Sequence, residues 1–223
     1  SPAQWDSVFV EIEGVDIEVL VEGRDTQTLV YFLEYKSGDK KIKVSDLVAG
    51  NELLLGRSEL PIGQIIGATI LLGDDHYMYL DEKKYTLNLA DGSNNEISLT
   101  TSIDIEQGYS YDILLDINLE KSIIQVAESP LTYNLDPYFT LENGAGTVEI
   151  DGNLTPLALY SAIYLSDGTD SISTHTDEDG EYFFRVQPGS YTFYFDPKDE
   201  LYQDTTFSFE VLVDTDSTLD DII

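Results

Sequence analysis

Cysteine is absent from the 223 residues, and positive charge is scarce, with 11 Lys and Arg against 43 Asp and Glu. The lack of cysteine excludes disulfides, thiolate-ligated metal centres and thiol nucleophiles. The net charge of −32 argues against nucleic-acid binding, because a phosphate backbone requires a basic surface. No apolar run reaches the roughly 18 residues that cross a bilayer, so the sequence predicts no membrane-spanning segment.

Alternation of apolar and polar residues dominates the chain and is typical of β-strands. It is clearest at Val8, Val10 and Ile12, and again from Val15 to Val21. Further strand-like runs cover residues 28–33, 62–72, 96–105, 111–117 and 132–141. The single segment with a helical pattern is 44–55. Many short strands separated by Gly, Asn and Asp clusters predict an all-β fold of sandwich or barrel type.

A polar, glycine-rich stretch at residues 142–146 separates two strand patterns and predicts a domain boundary. We therefore expect two β-sandwich domains, residues 1–144 and residues 145–223. The second is the smaller.

The second domain contains two turn motifs. Residues 174–182 read as strand, tight turn and strand, and Pro188-Gly189 forms a further turn before Tyr191. With the opening Gly146-Thr147-Val148, this order resembles the carboxypeptidase regulatory-like (transthyretin-like) β-sandwich family. The resemblance implies a small transthyretin- or Ig-like sandwich that serves as an accessory extracellular module without catalysis.

Asp177 and Asp179, in the first of these turns, are candidate metal ligands. Alternate carboxylates can converge on one ion, and calcium is the ion that such oxygens suit. The loop lacks the twelve-residue spacing and final Glu of an EF-hand, so a turn capped by its own aspartates is the favoured interpretation. We expect no required cofactor, with calcium as the possible ligand.

The first domain carries a second set of motifs in a recognisable order: Pro2-Ala3, Asp6, Val8 to Val15, Val44 to Leu47, Glu59 to Gly63, Gly108 to Asp116 and Lys121 to Ile124. This order resembles the exported family of domains of unknown function numbered 4382, many members of which are lipoproteins of Bacteroidetes. The resemblance implies a cell-surface or secreted protein, and we expect an outer-membrane lipoprotein that meets the membrane through a lipid anchor on a segment removed from this chain.

The sequence contains few of the residue patterns that are typical of catalytic sites. His76 and His175 are the only candidate imidazole bases, and no Gly-x-Ser-x-Gly elbow is present, so we assign no catalytic residue and predict that the protein is not an enzyme. Asp74, Asp75 and His76 could ligate a metal, but a polar hairpin turn is favoured. Six tyrosines could stack on sugars, although packing on the sheet is favoured for them: Tyr77, Tyr79, Tyr85, Tyr109, Tyr111 and Tyr138.

These observations favour a non-enzymatic cell-surface or secreted protein for adhesion or ligand capture, whose partner is an extracellular protein or glycan. The binding residues are unassigned. One alternative is a carbohydrate-binding accessory protein of a glycan-uptake system, which predicts exposed tyrosines on one face. A pilus-type structural subunit predicts a sheet edge open to strand donation. A hydrolase predicts an acidic cleft with one raised carboxyl pKa.

Overall fold

The computed structural model describes residues 5–23, 27–36, 38–48, 50–155, 162–177, 179–197, 201–213 and 217–222. The fold is nearly all β, with several sheets, and the prediction of an all-β, sandwich-type fold is confirmed. Pro2-Ala3 and Glu178 lie outside the described residues. No helix within the described residues is long and apolar enough to cross a membrane.

The chain divides into two compact units. Trp5–Val44 and Leu53–Gly144 form one, here called the N-terminal unit; Ser45–Glu52 and Ala145–Ile223 form the other, the C-terminal unit. Whether each is an independent domain with its boundary after Gly144 stays a prediction.

The N-terminal unit contains eleven strands in its described residues: β1 (Ser7–Val21), β2 (Gln27–Glu34), β3 (Lys41–Lys43), β4 (Gly63–Leu72), β5 (Tyr77–Leu80), β6 (Lys83–Leu89), β7 (Glu96–Ile105), β8 (Ile113–Ile117), β9 (Ile123–Glu128), β10 (Leu131–Leu135) and β11 (Phe139–Asn143). The main sheet has the order β7-β4-β1-β5-β6-β10-β9, with β2 and β3 also paired to β1. β8 and β11 form a separate antiparallel pair.

Strand β1 organises this unit. Its first part pairs with β3 and β5, and its second part pairs with β2 and β4. The register against β4 shifts between Ile12 and Gly14, so Glu13 is an extra residue and the inward side chains change from even to odd numbers. This bulge allows Val8 and Val10, and then Val15 and Ile17, all to be buried in one continuous strand.

The C-terminal unit is a sandwich of two sheets. Its strands are β12 (Val148–Asn153), β13 (Ile163–Ser166), β14 (Ser171–Thr174), β15 (Glu181–Val186), β16 (Gly189–Phe195), β17 (Thr205–Val211) and β18 (Ser217–Thr218). One sheet has the order β15-β12-β18 and the other β14-β13-β16-β17. Ile150, Tyr182 and Phe184 from the first sheet share a core with Leu165 and Phe193 from the second.

Two expectations about local structure are wrong. Among the described residues of 44–55, which omit residue 49, only Val44–Asp46 forms a helical turn, of 3₁₀ type. One α-helical turn, α1, is described elsewhere, at Leu119–Ser122. A helix over 44–55 would include Gly50, whose φ is +79°. The run 132–141 divides into β10 and β11 at Asp136-Pro137, because proline has no N–H to donate to a ladder.

Candidate functional site

The turn that holds Asp177 and Asp179 is stabilised by its own hydrogen bonds. Oδ1 of Asp177 accepts from the backbone N–H of Asp179 at 2.9 Å and from that of Glu181 at 2.9 Å. Gly180 follows with a φ of +84°, and its N–H donates to the Asp177 carbonyl at 3.2 Å. One carboxylate oxygen of Asp177 is therefore already engaged in holding the turn.

Few ligands remain for an ion at this turn. Calcium takes about six to eight oxygen ligands. Among the described residues, which omit Glu178, no group of three or more His, Cys, Asp or Glu side chains is placed to hold a metal. Calcium binding by Asp177 and Asp179 stays a prediction.

A similar turn joins β13 to β14. Oδ1 of Asp167 accepts from the N–H groups of Thr169 at 2.7 Å and Asp170 at 2.8 Å. These backbone hydrogen bonds lower the pKa of Asp167, because they favour its charged form. Acidic residues in the turns of this unit thus act as acceptors for backbone groups.

His76 lies in the turn between β4 and β5 and is only 1% exposed. Its Nδ1 accepts from the backbone N–H of Glu11 at 3.1 Å, and its Nε2 has no hydrogen-bond partner within the described part of the chain. Burial lowers the pKa of His76, although the nearby carboxylate of Glu11 acts in the opposite direction. A buried ring whose Nδ1 accepts a backbone hydrogen bond suits packing rather than general-base catalysis at the surface.

The carboxylates around His76 have partners of their own. Oε2 of Glu11 accepts from the N–H groups of Asp74 and Asp75, each at 2.9 Å. Asp75 forms an ion pair with Lys41 at 2.5 Å. The sequence Asp74-Asp75-His76 therefore forms a polar turn tied to β1 and β3.

A row of aromatic and basic side chains crosses the outer face of β1, β5 and β6. The Phe9 and Tyr77 rings stack, with centroids 4.7 Å apart and an interplanar angle of 20°. Nζ of Lys84 lies 3.7 Å from the Tyr77 centroid, so it covers the other face of that ring. With both faces of Tyr77 covered, a sugar cannot stack on it.

The other tyrosines differ in exposure. Tyr85 packs edge-on against the buried Tyr133, with ring centroids 5.5 Å apart. Tyr109 is 70% exposed and Tyr138 is 42% exposed. Nζ of Lys121 lies 4.3 Å from the Tyr138 centroid, a cation–π contact that the sequence did not indicate.

A carboxyl group on strand β11 has a raised pKa. Burial raises the pKa of Glu142 on β11, and the charge of Asp116 on β8 adds to this effect. Asp116 pairs in register with Thr140, which places it diagonally from Glu142 on the same face. Repulsion between the two carboxylates therefore adds to the effect of burial on the pKa of Glu142.

Strand β2 presents an exposed apolar edge that the sequence reasoning missed. Its eight residues pair with β1 on one side, and no backbone hydrogen bond reaches its other side from any residue that the structure describes. Val30 is 59% exposed and Phe32 is 52% exposed, while Leu33 on the opposite face packs against Gly56. The uninterrupted apolar run from Leu29 to Leu33 is a pattern that could have indicated apolar side chains on both faces.

A family model described as "Domain of unknown function (DUF4382)" matches residues 1–137. The chain belongs to this family. The match confirms the resemblance of the N-terminal residues, and it ends before most of the C-terminal unit of this DUF4382 protein. Searches of curated proteins and of solved structures give no match.

Proposed function

We propose that this DUF4382 protein is a non-enzymatic cell-surface or secreted protein that captures an extracellular partner, and that the edge of β2 is part of its contact surface. The observation that supports this proposal is the exposure of Val30 and Phe32 on a strand that pairs on one side only within the described residues. Soluble proteins usually protect a sheet edge with Lys, Pro or a bulge. β2 has none of these over residues 27–34, and its register with β1 is continuous.

An edge of this kind suits an extended segment of a partner protein. The segment would bond to the free backbone groups of β2, and pockets beside alternate side chains would give specificity. Asp16 and Glu18 lie directly opposite Phe32 and Val30 in the register, on the same outer face. A partner with basic residues near its apolar contacts therefore fits best.

The test compares a double lysine variant with a matched control. Val30→Lys with Phe32→Lys places two charges on the edge, whereas Thr86→Lys with Asn88→Lys adds the same charge on the exposed face of the interior strand β6. Fluorescently labelled full chain is applied to arrays of purified extracellular proteins and of glycans, with calcium and again with EDTA.

The expected result is a protein target whose binding weakens at least about tenfold in the β2 variant and is unchanged in the control, because each buried apolar side chain contributes roughly 1.5–3 kcal/mol. Binding that survives both lysines would reject β2 as the contact, and silence on both arrays would reject capture. Loss of binding in EDTA would implicate Asp177 and Asp179.

A carbohydrate-binding role is the second candidate, favoured by the exposed rings of Tyr109 and Tyr138. The glycan array in the same experiment tests this role. Reproducible binding to one sugar class that persists in the β2 variant would favour this role over protein capture.

We also propose that residues 145–223 are a carboxypeptidase regulatory-like module. The motifs at Gly146-Thr147-Val148, residues 174–182 and Pro188 to Tyr191 support this assignment, as does the two-sheet arrangement.

The N-terminal resemblance supports an outer-membrane lipoprotein of the Bacteroidetes type. Metabolic labelling of the native gene product with an alkyne fatty acid tests that setting, and an unlabelled product that fractionates away from the envelope would contradict it.

A further inference from the structure

An open groove runs along one side of the C-terminal sandwich. It has a volume of about 540 Å³ and lies between strand β17 and the segment that begins with β18; its walls include Phe207, Phe209, Leu219, Asp220, Asp221 and Ile222. A second hollow of about 360 Å³ shares Thr205 and Ile222 with the first and extends past Asp204. The two adjoin at these shared residues and are here together called the β17 groove.

The apolar wall of the β17 groove is the open edge of the sandwich core. Phe207 and Phe209 are two residues apart on β17, so they point to the same side of the strand. Phe207 stacks on the buried Phe193, with ring centroids 4.8 Å apart, and Leu219, directly after β18, packs against the same core. Both phenylalanines remain only half-buried, so the core is incompletely covered here.

The backbone of β17 is free along the groove. All seven of its residues pair with β16 in a continuous antiparallel register. Within the described part of the chain, no backbone hydrogen bond reaches the opposite side of β17. A further strand placed there would bond to this edge and direct every second side chain towards Phe207 and Phe209.

The charge of the groove is negative. Asp220 and Asp221 line the wall opposite β17, Asp204 lines the extension, and no Lys or Arg is present among the described lining residues. An occupant of the opposite charge is therefore favoured. A second copy of this chain fits poorly, because it has a net charge of −32 and only 11 Lys and Arg.

We propose that the β17 groove binds, by strand addition to β17, an extended segment of another protein in which apolar residues alternate with Lys or Arg. Its apolar side chains cover Phe207, Phe209 and Leu219. Its cations lie on the opposite face of the added strand and are attracted by the negative potential of the nearby Asp220 and Asp221. This site lies in the C-terminal unit and is independent of the edge of β2, so either can fail without the other.

The test uses the full chain and three blocked nine-residue peptides: one alternating valine with lysine, one alternating glycine with lysine, and one alternating valine with glutamate. Isothermal titration calorimetry measures affinity, and hydrogen exchange with mass spectrometry locates the protected amides. The valine–lysine peptide is expected to bind at least about tenfold tighter than the glycine–lysine peptide of equal charge, because it adds buried apolar area. The valine–glutamate peptide is expected not to bind, and protection should be concentrated in residues 205–211.

A charge variant tests the acidic wall. Asp220→Asn with Asp221→Asn should weaken binding of the valine–lysine peptide by roughly threefold, because two exposed negative charges near the peptide are lost. Asp91→Asn with Glu106→Gln makes the same change of charge in the N-terminal unit and should leave the affinity unchanged.

Three results would overturn the proposal. Equal affinity for the valine–lysine and glycine–lysine peptides would mean that only net charge is recognised. Protection outside residues 205–211 would place the contact elsewhere. Equal effects of the two pairs of neutralising substitutions would show that Asp220 and Asp221 have no special role.

Discussion

Replacing Tyr182 with phenylalanine is expected to stabilise the C-terminal unit. Tyr182 is 1% exposed, and its ring packs between Phe184 and Phe193 at centroid distances of 6.3 and 5.8 Å. Its hydroxyl has no hydrogen-bond partner among the residues that the structure describes. It lies against Gly152, where an added Cβ would be 2.3 Å from the hydroxyl oxygen. Burial, with the charge of Asp151, raises the pKa of Tyr182, so the hydroxyl stays protonated in the fold.

The magnitude follows from two opposing terms. A buried polar group without a partner costs about 1–3 kcal/mol. Removing the oxygen leaves a void smaller than a methyl group, whose cost is below about 1 kcal/mol. The ring contacts are kept, so the net gain in the free energy of unfolding is about 1 kcal/mol, equivalent to a rise in Tm of roughly 4–8 °C for a unit of this size.

Tyr191→Phe is the matched control in the same unit. Its hydroxyl donates to the Gln187 carbonyl at 2.9 Å, so the same substitution should reduce the free energy of unfolding by about 0.5–1.5 kcal/mol. Hydrogen exchange in increasing urea, followed on peptides from β12 and β15, measures both variants without requiring the two units to unfold together. A loss of stability in Tyr182→Phe as large as that in Tyr191→Phe would mean that the Tyr182 hydroxyl does have a partner, and would refute the reasoning.

Two further predictions concern the N-terminal unit. Asp81 and Glu82 connect β5 to β6 with φ values of 49° and 60°. Glu82→Gly should raise the free energy of unfolding by about 0.5 kcal/mol in urea titrations, because it relieves about 1–2 kcal/mol of left-handed strain but adds the entropy cost of glycine. A loss of stability would contradict this prediction. His76 has a lowered pKa in the fold, so protons bind preferentially to the unfolded state and stability should fall as the pH drops below about 6.5. His76→Gln should remove that part of the pH dependence, as measured by the fluorescence of Trp5, the single tryptophan; an unchanged slope would reject it.

The strands were largely predictable because alternation is a local property of the sequence. β7 has the predicted bounds, Glu96–Ile105. Its partner β4 contains a bulge, seen as a register shift between Ile65 and Gly67. A Cβ at Gly67 would lie 2.7 Å from the Leu99 carbonyl oxygen, which explains the glycine. The change of phase at Glu13 was interpreted as a gap between two runs, because a bulge within one long strand is recognisable only from its pairing with β4.

The candidate contact surfaces were not predictable for a related reason. Whether a strand lies at the edge of a sheet depends on which distant segments pair with it. The local sequences of β2 and β17 contain no pattern that distinguishes an edge strand from an interior one. The stacking of Phe9 on Tyr77, and of Lys84 on its other face, likewise depends on cross-strand register. The capping of the turn by Asp177 could be anticipated, since its acceptors and donors are close together in the sequence.

The acidity of the chain has two physical roles that differ in location. Glu11, Asp167 and Asp177 each accept two backbone N–H groups in turns, so their charge stabilises local structure. Asp220 and Asp221 instead line an open groove with an apolar wall. The charge of a carboxylate that holds a turn is stabilised by the backbone N–H groups it accepts from. The charge of a carboxylate along an open groove instead contributes to the electrostatic potential that attracts a binding partner. If this distinction is correct, added salt should weaken partner binding at the β17 groove more than it weakens the turns, because exposed charges across an interface are screened over about 10 Å at 0.1 M salt.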